Sequence, residues 1–434
     1  MAVEPVCVDQ KDEIVVQDAE EVPLELMEVN DDCLESIFQN LHWKDMFNMA
    51  VSDERFLTSL RFAFFRQYRK KRVTLRAGAL RTVDNTGATS KITIDASAFF
   101  EYFGSNTLKL AIKHLDSNQV KVEESLLKNC TSSVVDLQLF ECKLCFEQIK
   151  KPFHKVDSLV LKSTTIGENL SRLGIWFPKL VTLKLENVKT SHPESLEKRW
   201  PALKHLVICD NKGKIPLSTI ETMLHVNPQL KSLHLYRDYN ADFLQSINLP
   251  QLEELYLKVP NDRFMSLGDG QKILFENVKK FALLAWHEED EFALNFPFNF
   301  TKLETLYVGG STKYNYDVFN FIKQNIQLKE LMLLNQTIDT YGFHDGVMSI
   351  IKTLKDLMAL TVSEDSFLWN ELLELLSECH QSNIKQFSIK FGHHLECRAF
   401  CHYVRDEIEK EWTVTEWKAT KNPNWHYILR FDKI

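Results

Sequence analysis

Leu252-Glu253-Glu254-Leu255-Tyr256-Leu257 carries apolar side chains at spacings of three and then two. The last two are separated by the period of a β-strand, so both leave the backbone on one face. The pattern returns at Val134/Leu137/Leu139, Val156/Leu159/Leu161, Leu180/Leu183/Leu185, Leu203/Leu206/Ile208 and Leu230/Leu233/Leu235. It continues at Val278/Phe281/Leu283, Leu303/Leu306/Val308, Leu328/Leu331/Leu333, Leu357/Leu360/Val362 and Ile384/Phe387/Ile389. First positions recur every 22 to 29 residues, by subtraction of successive numbers. Such a period marks a stack of similar units. One unit cannot bury its apolar face alone, so the strands must lie side by side in parallel.

Pro178, Pro201, Pro228 and Pro250 each stand two residues before a first apolar position. Proline cannot continue a helix, so it ends the preceding segment and delivers the chain extended. Ser218–Val226, ahead of Pro228, and Tyr316–Gln324, ahead of Leu328, read as helices. The unit is therefore strand, turn, helix, turn. This resembles the leucine-rich repeat family in its longer form, with Cys142, Thr164, Asn211 and Ser311 at the family's turn-bonding ninth position. Val188, Pro260, Trp286 and Gly392 depart from it. The resemblance implies an α/β solenoid, a horseshoe with parallel strands on the concave face and helices outside.

With 434 residues, 44% of them hydrophobic, the chain can bury a large core. A formal charge of −8 argues against a nucleic-acid partner, which demands a basic surface. No apolar run reaches membrane-spanning length, and no secretory signal opens the chain. Nine scattered cysteines suit reduced thiols in the cytoplasm or nucleus.

Residues 1–28 carry nine acidic side chains against Lys11 alone and read as a disordered tail. After it, Asn30 is a good N-cap, followed by Leu34, Ile37, Phe38 and Leu41 at helical spacing. Further short helices fit Lys44–Val51 and Glu54 to Tyr68. Such a small core suggests a module that completes its packing on a partner. Arg66, Arg69, Lys70, Lys71 and Arg72 complement the dipole at the end of the third helix.

Val29–Phe56 resembles an F-box, the module that docks substrate receptors onto the Skp adaptor of cullin ubiquitin ligases. Leu34, Ile37, Phe38 and Leu41 match its first helix, Asp45-Met46-Phe47 its Asp-Leu-hydrophobic step, and Val51-Ser52 with Arg55-Phe56 its closing step. Val29-Asn30 replaces the family's Leu-Pro, and Trp43 stands where a second proline is common. The resemblance implies adaptor binding through Val29, Asn30, Leu34, Ile37, Phe38, Leu41, Asp45, Met46, Val51 and Phe56.

Val73/Leu75, Ile92/Ile94 and Leu108/Leu110 read as degenerate early strands. Beyond the repeats, Glu396–Trp412 reads as a helix, and Trp412–Trp417 and Trp425–Phe431 as strands that cap the stack. The expected divisions are 1–28 tail, 29–70 F-box, 71–392 solenoid and 393–434 cap.

No metal site or cofactor is expected. Cys142-x-x-Cys145 lacks a second pair, and His394, Cys397 and Cys401 on one helical face, with His393 and His402 adjacent, lack a fourth ligand. Glu288-Glu289-Asp290 reads as solvated surface, and Gly309-Gly310 lacks the flanks of a phosphate loop. No nucleophile–base pair suggests an enzyme. The expected role is substrate recognition within a Skp–cullin–F-box ligase, the alternative a repeat scaffold or inhibitor with no ubiquitin role. The target is expected on the concave face, at Val207, His234, Tyr236, Tyr256, Leu284, Tyr307 and Met332, whose tyrosines and aliphatics are unusual for a solvated strand face.

Overall fold

The computed structural model describes residues 29–76, 79–83, 89–92, 96–114, 128–144, 152–166, 173–190, 196–210, 214–237, 239, 241–259, 272–285, 298–310, 316–335, 342–363, 367–392, 394–408, 411–419 and 426–434. The chain divides into two compact units between Gln67 and Tyr68. The acidic tail, Cys145, the Glu288–Asp290 run, His393 and Trp425 lie outside the described residues.

The first unit holds α1 (Asp31–Phe38), α2 (Trp43–Ser52) and α3 (Leu57–Tyr68), the last of which runs on from a 3-10 turn at Glu54–Phe56. Asn30 caps α1, its side-chain oxygen accepting from the Cys33 amide at 2.9 Å. Leu34, Phe38, Trp43, Met46, Phe47, Leu60 and Phe64 fill the core, and the rings of Phe38 and Phe56 meet edge to face at 5.8 Å. The Gln67 amide closes the end of α1 by donating to the carbonyls of Gln39 and Leu41, at 2.9 and 3.2 Å.

The second unit is built on one seventeen-stranded sheet. Thirteen strands run in parallel, each beside the next: Arg72–Arg76, Lys109–Lys113, Asp136–Phe140, Ser158–Lys162, Thr182–Glu186, His205–Cys209, Ser232–Tyr236, Glu254–Val259, Lys280–Ala285, Thr305–Gly310, Glu330–Asn335, Ala359–Ser363 and Gln386–Phe391. Antiparallel strands finish both ends: Ala79–Val83 and Thr89–Ile92 at the first, His426–Lys433 and then Trp412–Ala419 at the last. The register aligns Leu206, Leu233, Leu255, Phe281, Leu306, Leu331, Leu360 and Phe387 in one row. Every apolar position of the eleven repeat units is buried. Each such side chain contributes roughly 1.5–3 kcal/mol, largely offset by the entropy of ordering the chain.

Turn chemistry repeats with the strands. His114, Glu141, Ser163 and Asn187 follow four successive strands with left-handed backbone, φ between 49° and 54°. Their amides extend the ladder, donating to Phe140, Lys162, Glu186 and Cys209 carbonyls at 2.7–3.0 Å. One residue later, the Cys142 thiol donates to the Ile112 and Phe140 carbonyls, and the Thr164 hydroxyl to those of Leu139 and Lys162. Both ninth-position side chains therefore serve the turn.

Three expectations need correction. The inward pair of the second parallel strand is Leu110/Ile112, not Leu108/Leu110, because Thr107 fills the first position and bonds the Phe103 carbonyl at 3.0 Å. Helical connections hold at Leu217–Val226, Ala241–Ser246, Tyr316–Gln324, Phe343–Thr353 and Trp369–Gln381. Ile273–Phe275 and Phe298–Phe300 instead pair as a small parallel sheet, their alternate phenylalanines and isoleucine buried with the period of a strand. The last helix ends at Ile408 rather than Trp412, whose indole is buried at the start of a strand. Among the described residues no helix is long and apolar enough to cross a membrane.

Candidate functional site

Residues between the inward pairs point to the other face of the sheet, where most of their side chains are at least partly exposed. Strand register sets Val207, His234, Tyr256, Ala282, Tyr307 and Met332 side by side as consecutive Cα partners. A second row, two residues on, carries Cys209 beside Tyr236, Lys258 beside Leu284, and Gly309 beside Leu334. The structure thus brings together all seven side chains expected to meet a target.

Their packing is specific. The His234 and Tyr256 rings stack at 3.9 Å with 26° between planes, and Tyr236 meets His234 edge-on at 6.1 Å. The Tyr236 hydroxyl and His234 Nδ1 are 3.4 Å apart. Burial holds the His234 pKa down at about 4 and pushes that of Tyr236 up to about 12. Burial also raises Tyr256 and Tyr307. At neutral pH the cluster is therefore uncharged. Ala282 is buried between its tyrosine neighbours, whereas Met332 is 36% exposed. Val207, Leu284 and the four rings are partly exposed.

Two supporting features escape the repeat pattern. Gly309 provides the space in which the Tyr307 ring lies, since a β carbon there would stand 2.7 Å from the ring's Cε1 and hydroxyl oxygen. Just past Cys209 and Tyr236, Asp210 and Arg237 form a buried pair, with Arg237 Nη1 3.6 Å from Asp210 Oδ2. The same carboxylate oxygen accepts from the Ile215 amide at 2.8 Å, and the guanidinium donates to the Ile215 carbonyl. Recurrence of opposite charges directly after two neighbouring strands was the available signal.

The residues expected at the adaptor separate into two groups. Leu34, Phe38, Met46 and Phe56 are buried in the core of their own helical unit. Three short helices must bury something, and these side chains face inward. Ile37 is 45% exposed and Val51 54%. Asn30 and Asp45 are exposed as well, and Val29 and Leu41 partly so; Leu41 lies beyond the end of α1.

Of the residues with metal-like spacing, Cys397 is buried and Cys401 partly so, both on the helix His394–Ile408. Trp417, on the outermost strand, pairs its backbone with Ile428, eight strands along the sheet from Tyr236.

No protein-family model matches the sequence, and no curated protein matches it. Among solved structures the chain is similar to one described as the crystal structure of a TLR13–ssRNA13 complex, at 13% identity and a TM-score of 0.27. That match covers 62% of this chain and 54% of the other, so the chain spans about half the length of the protein it resembles. Strand order and register define an α/β repeat protein whose large, mostly parallel sheet fits a leucine-rich repeat solenoid.

Proposed function

We propose that the chain is the substrate-recognition subunit of a Skp–cullin–F-box ubiquitin ligase. The helical unit holds the Skp adaptor, and through it the cullin, while the open sheet face holds the protein to be ubiquitinated. The chain makes and breaks no bonds; it raises the local concentration of the target beside a recruited conjugating enzyme. It works in the cytoplasm or nucleus, without cofactor.

The observation that carries the binding role is the uncharged ring cluster of His234, Tyr236, Tyr256 and Tyr307, set among aliphatic side chains on the outward face of the sheet. Partly exposed aromatic side chains in that number are favoured at protein interfaces. The adaptor role is supported by the Val29–Phe56 resemblance, and by Ile37 and Val51 standing exposed on a unit whose other large apolar side chains mostly pack inward. A second reading, a repeat scaffold without a ligase role, is favoured by Val29-Asn30 in place of Leu-Pro and by the burial of Leu34 and Phe38.

Affinity capture on the tagged full chain separates the two. Co-purification of a Skp-type adaptor and a cullin, lost in Ile37→Asp with Val51→Asp, supports the ligase subunit. Target capture with neither protein present leaves the scaffold.

A further inference from the structure

We propose that the open face binds an acidic, extended segment of the target protein, its carboxylates lying over the first five parallel strands and its apolar side chains over Tyr256 and Tyr307. This rests on the reading of that face as the target site. It adds the chemistry and the direction of what is bound.

Charge on the open face is not evenly spread. From Arg72 to Glu186, the outward positions of five strands hold Arg72, Arg76, Lys109, Lys113, Lys162 and Lys184 against only Asp136 and Glu186. Six cations less two carboxylates leave +4, in a chain whose formal charge is −8. Both carboxylates are already engaged. Asp136 meets Arg72 Nη2 at 2.5 Å, and Glu186 bonds Lys162 and lies 3.4 Å from Lys184. Arg76, Lys109 and Lys113 make no ion pair among the described residues. Lys113 is held over the Phe140 ring, 5.0 Å from its centroid, which keeps the ammonium at the surface of the sheet.

The next strands differ. Glu254 pairs with Lys280 at 2.9 Å, and the remaining outward charges of the central six, Lys258 and Glu330, cancel. Apolar and aromatic groups dominate there. The face therefore changes from cationic to apolar between the strands of Lys184 and Tyr256, three strand steps or about 14 Å apart. From the strand of Lys113 to that of Tyr307 there are eight steps, about 38 Å, which roughly 12 extended residues span.

A single-stranded nucleic acid needs cations and stacking rings interleaved along one track, because every nucleotide carries both a phosphate and a base. Here the cations and rings are segregated, and Leu284, Met332 and Leu334 surround the rings with aliphatic surface. A peptide whose acidic and apolar parts are separate matches that division, and its carboxylates find cations not neutralised within the sheet.

Selection of a random 12-residue peptide display library on the immobilised full chain tests this. The expected outcome is enrichment of peptides with aspartate and glutamate toward one end and aromatic or aliphatic residues toward the other. Lys109→Glu with Lys113→Glu is expected to remove the acidic preference and weaken a selected peptide at least about tenfold. Tyr256→Ala is expected to remove the apolar preference and keep the acidic one. Neutral or basic selected peptides that still require Tyr256 would overturn the acidic assignment alone. Selection indifferent to Tyr236→Ala and Tyr256→Ala would overturn the open face as target site. Failure of any peptide to enrich, or an oligouridylate bound more tightly than every selected peptide, would overturn the inference as well.

Discussion

The phenol ring of Tyr307 lies across Gly309 on its own strand, in the volume that any side chain at residue 309 would need. Gly309→Ala forces the ring off the sheet. The obstruction is the end of one side chain, so the displaced rotamer is expected to cost only about 0.5–1.5 kcal/mol in urea unfolding. Target affinity should fall as far as it does in Tyr307→Ala. The double variant should lose no more than either single one, because both act through the same ring.

Asp210 and Arg237 tie together the turns that follow the strands of Cys209 and Tyr236. Asp210→Ala removes the buried carboxylate that faces the guanidinium and is expected to cost about 3–5 kcal/mol. Asp210→Leu combined with Arg237→Met removes both charges and should cost clearly less. Chemical denaturation of the three proteins checks the order.

Acid should act on the ring cluster through His234. Burial lowers its pKa from 6.5 to about 4, so between those values the unfolded chain binds a proton that the folded chain does not. Stability is therefore fully present above pH 6.5 and falls as the pH drops toward 4. His234→Phe should flatten that part of the decline and keep the stack on Tyr256. Melting temperatures of both proteins at pH 7 and pH 4.5 decide it.

Asn227 is fully buried ahead of Pro228, accepting from the Trp200 amide at 2.8 Å and donating to the carbonyls of Met223 and Lys198. Asn227→Ala strands these groups and is expected to cost about 1–3 kcal/mol in the same unfolding assay. Replacement of the partly exposed Gln229, two residues further on, should cost less.

Leucine spacing made the repeat stack legible, since period-two burial leaves one readable pattern per strand. The face opposite was legible for the same reason: fixing Leu255 and Leu257 inward fixes Tyr256 outward. Three things were not. The strand at Lys109–Lys113 hid because Thr107 replaces the first apolar residue. The helical unit misled because Leu34 and Ile37 share one stripe in sequence, while only packing decides that Leu34 is core and Ile37 surface. The cationic end of the sheet was invisible in a net charge of −8, which averages over the surface.

A calorimetric titration of a Skp-type adaptor into three versions of the full chain tests the central claim most directly. The proposed function has the unaltered chain and Tyr236→Ala with Tyr256→Ala bind it equally, because it assigns those rings to the target and not to the adaptor. Ile37→Asp with Val51→Asp should bind at least about a hundredfold more weakly, since two buried contacts become charged, while its unfolding transition stays unchanged. Equal adaptor binding by all three folded proteins, or binding by none, would contradict the account.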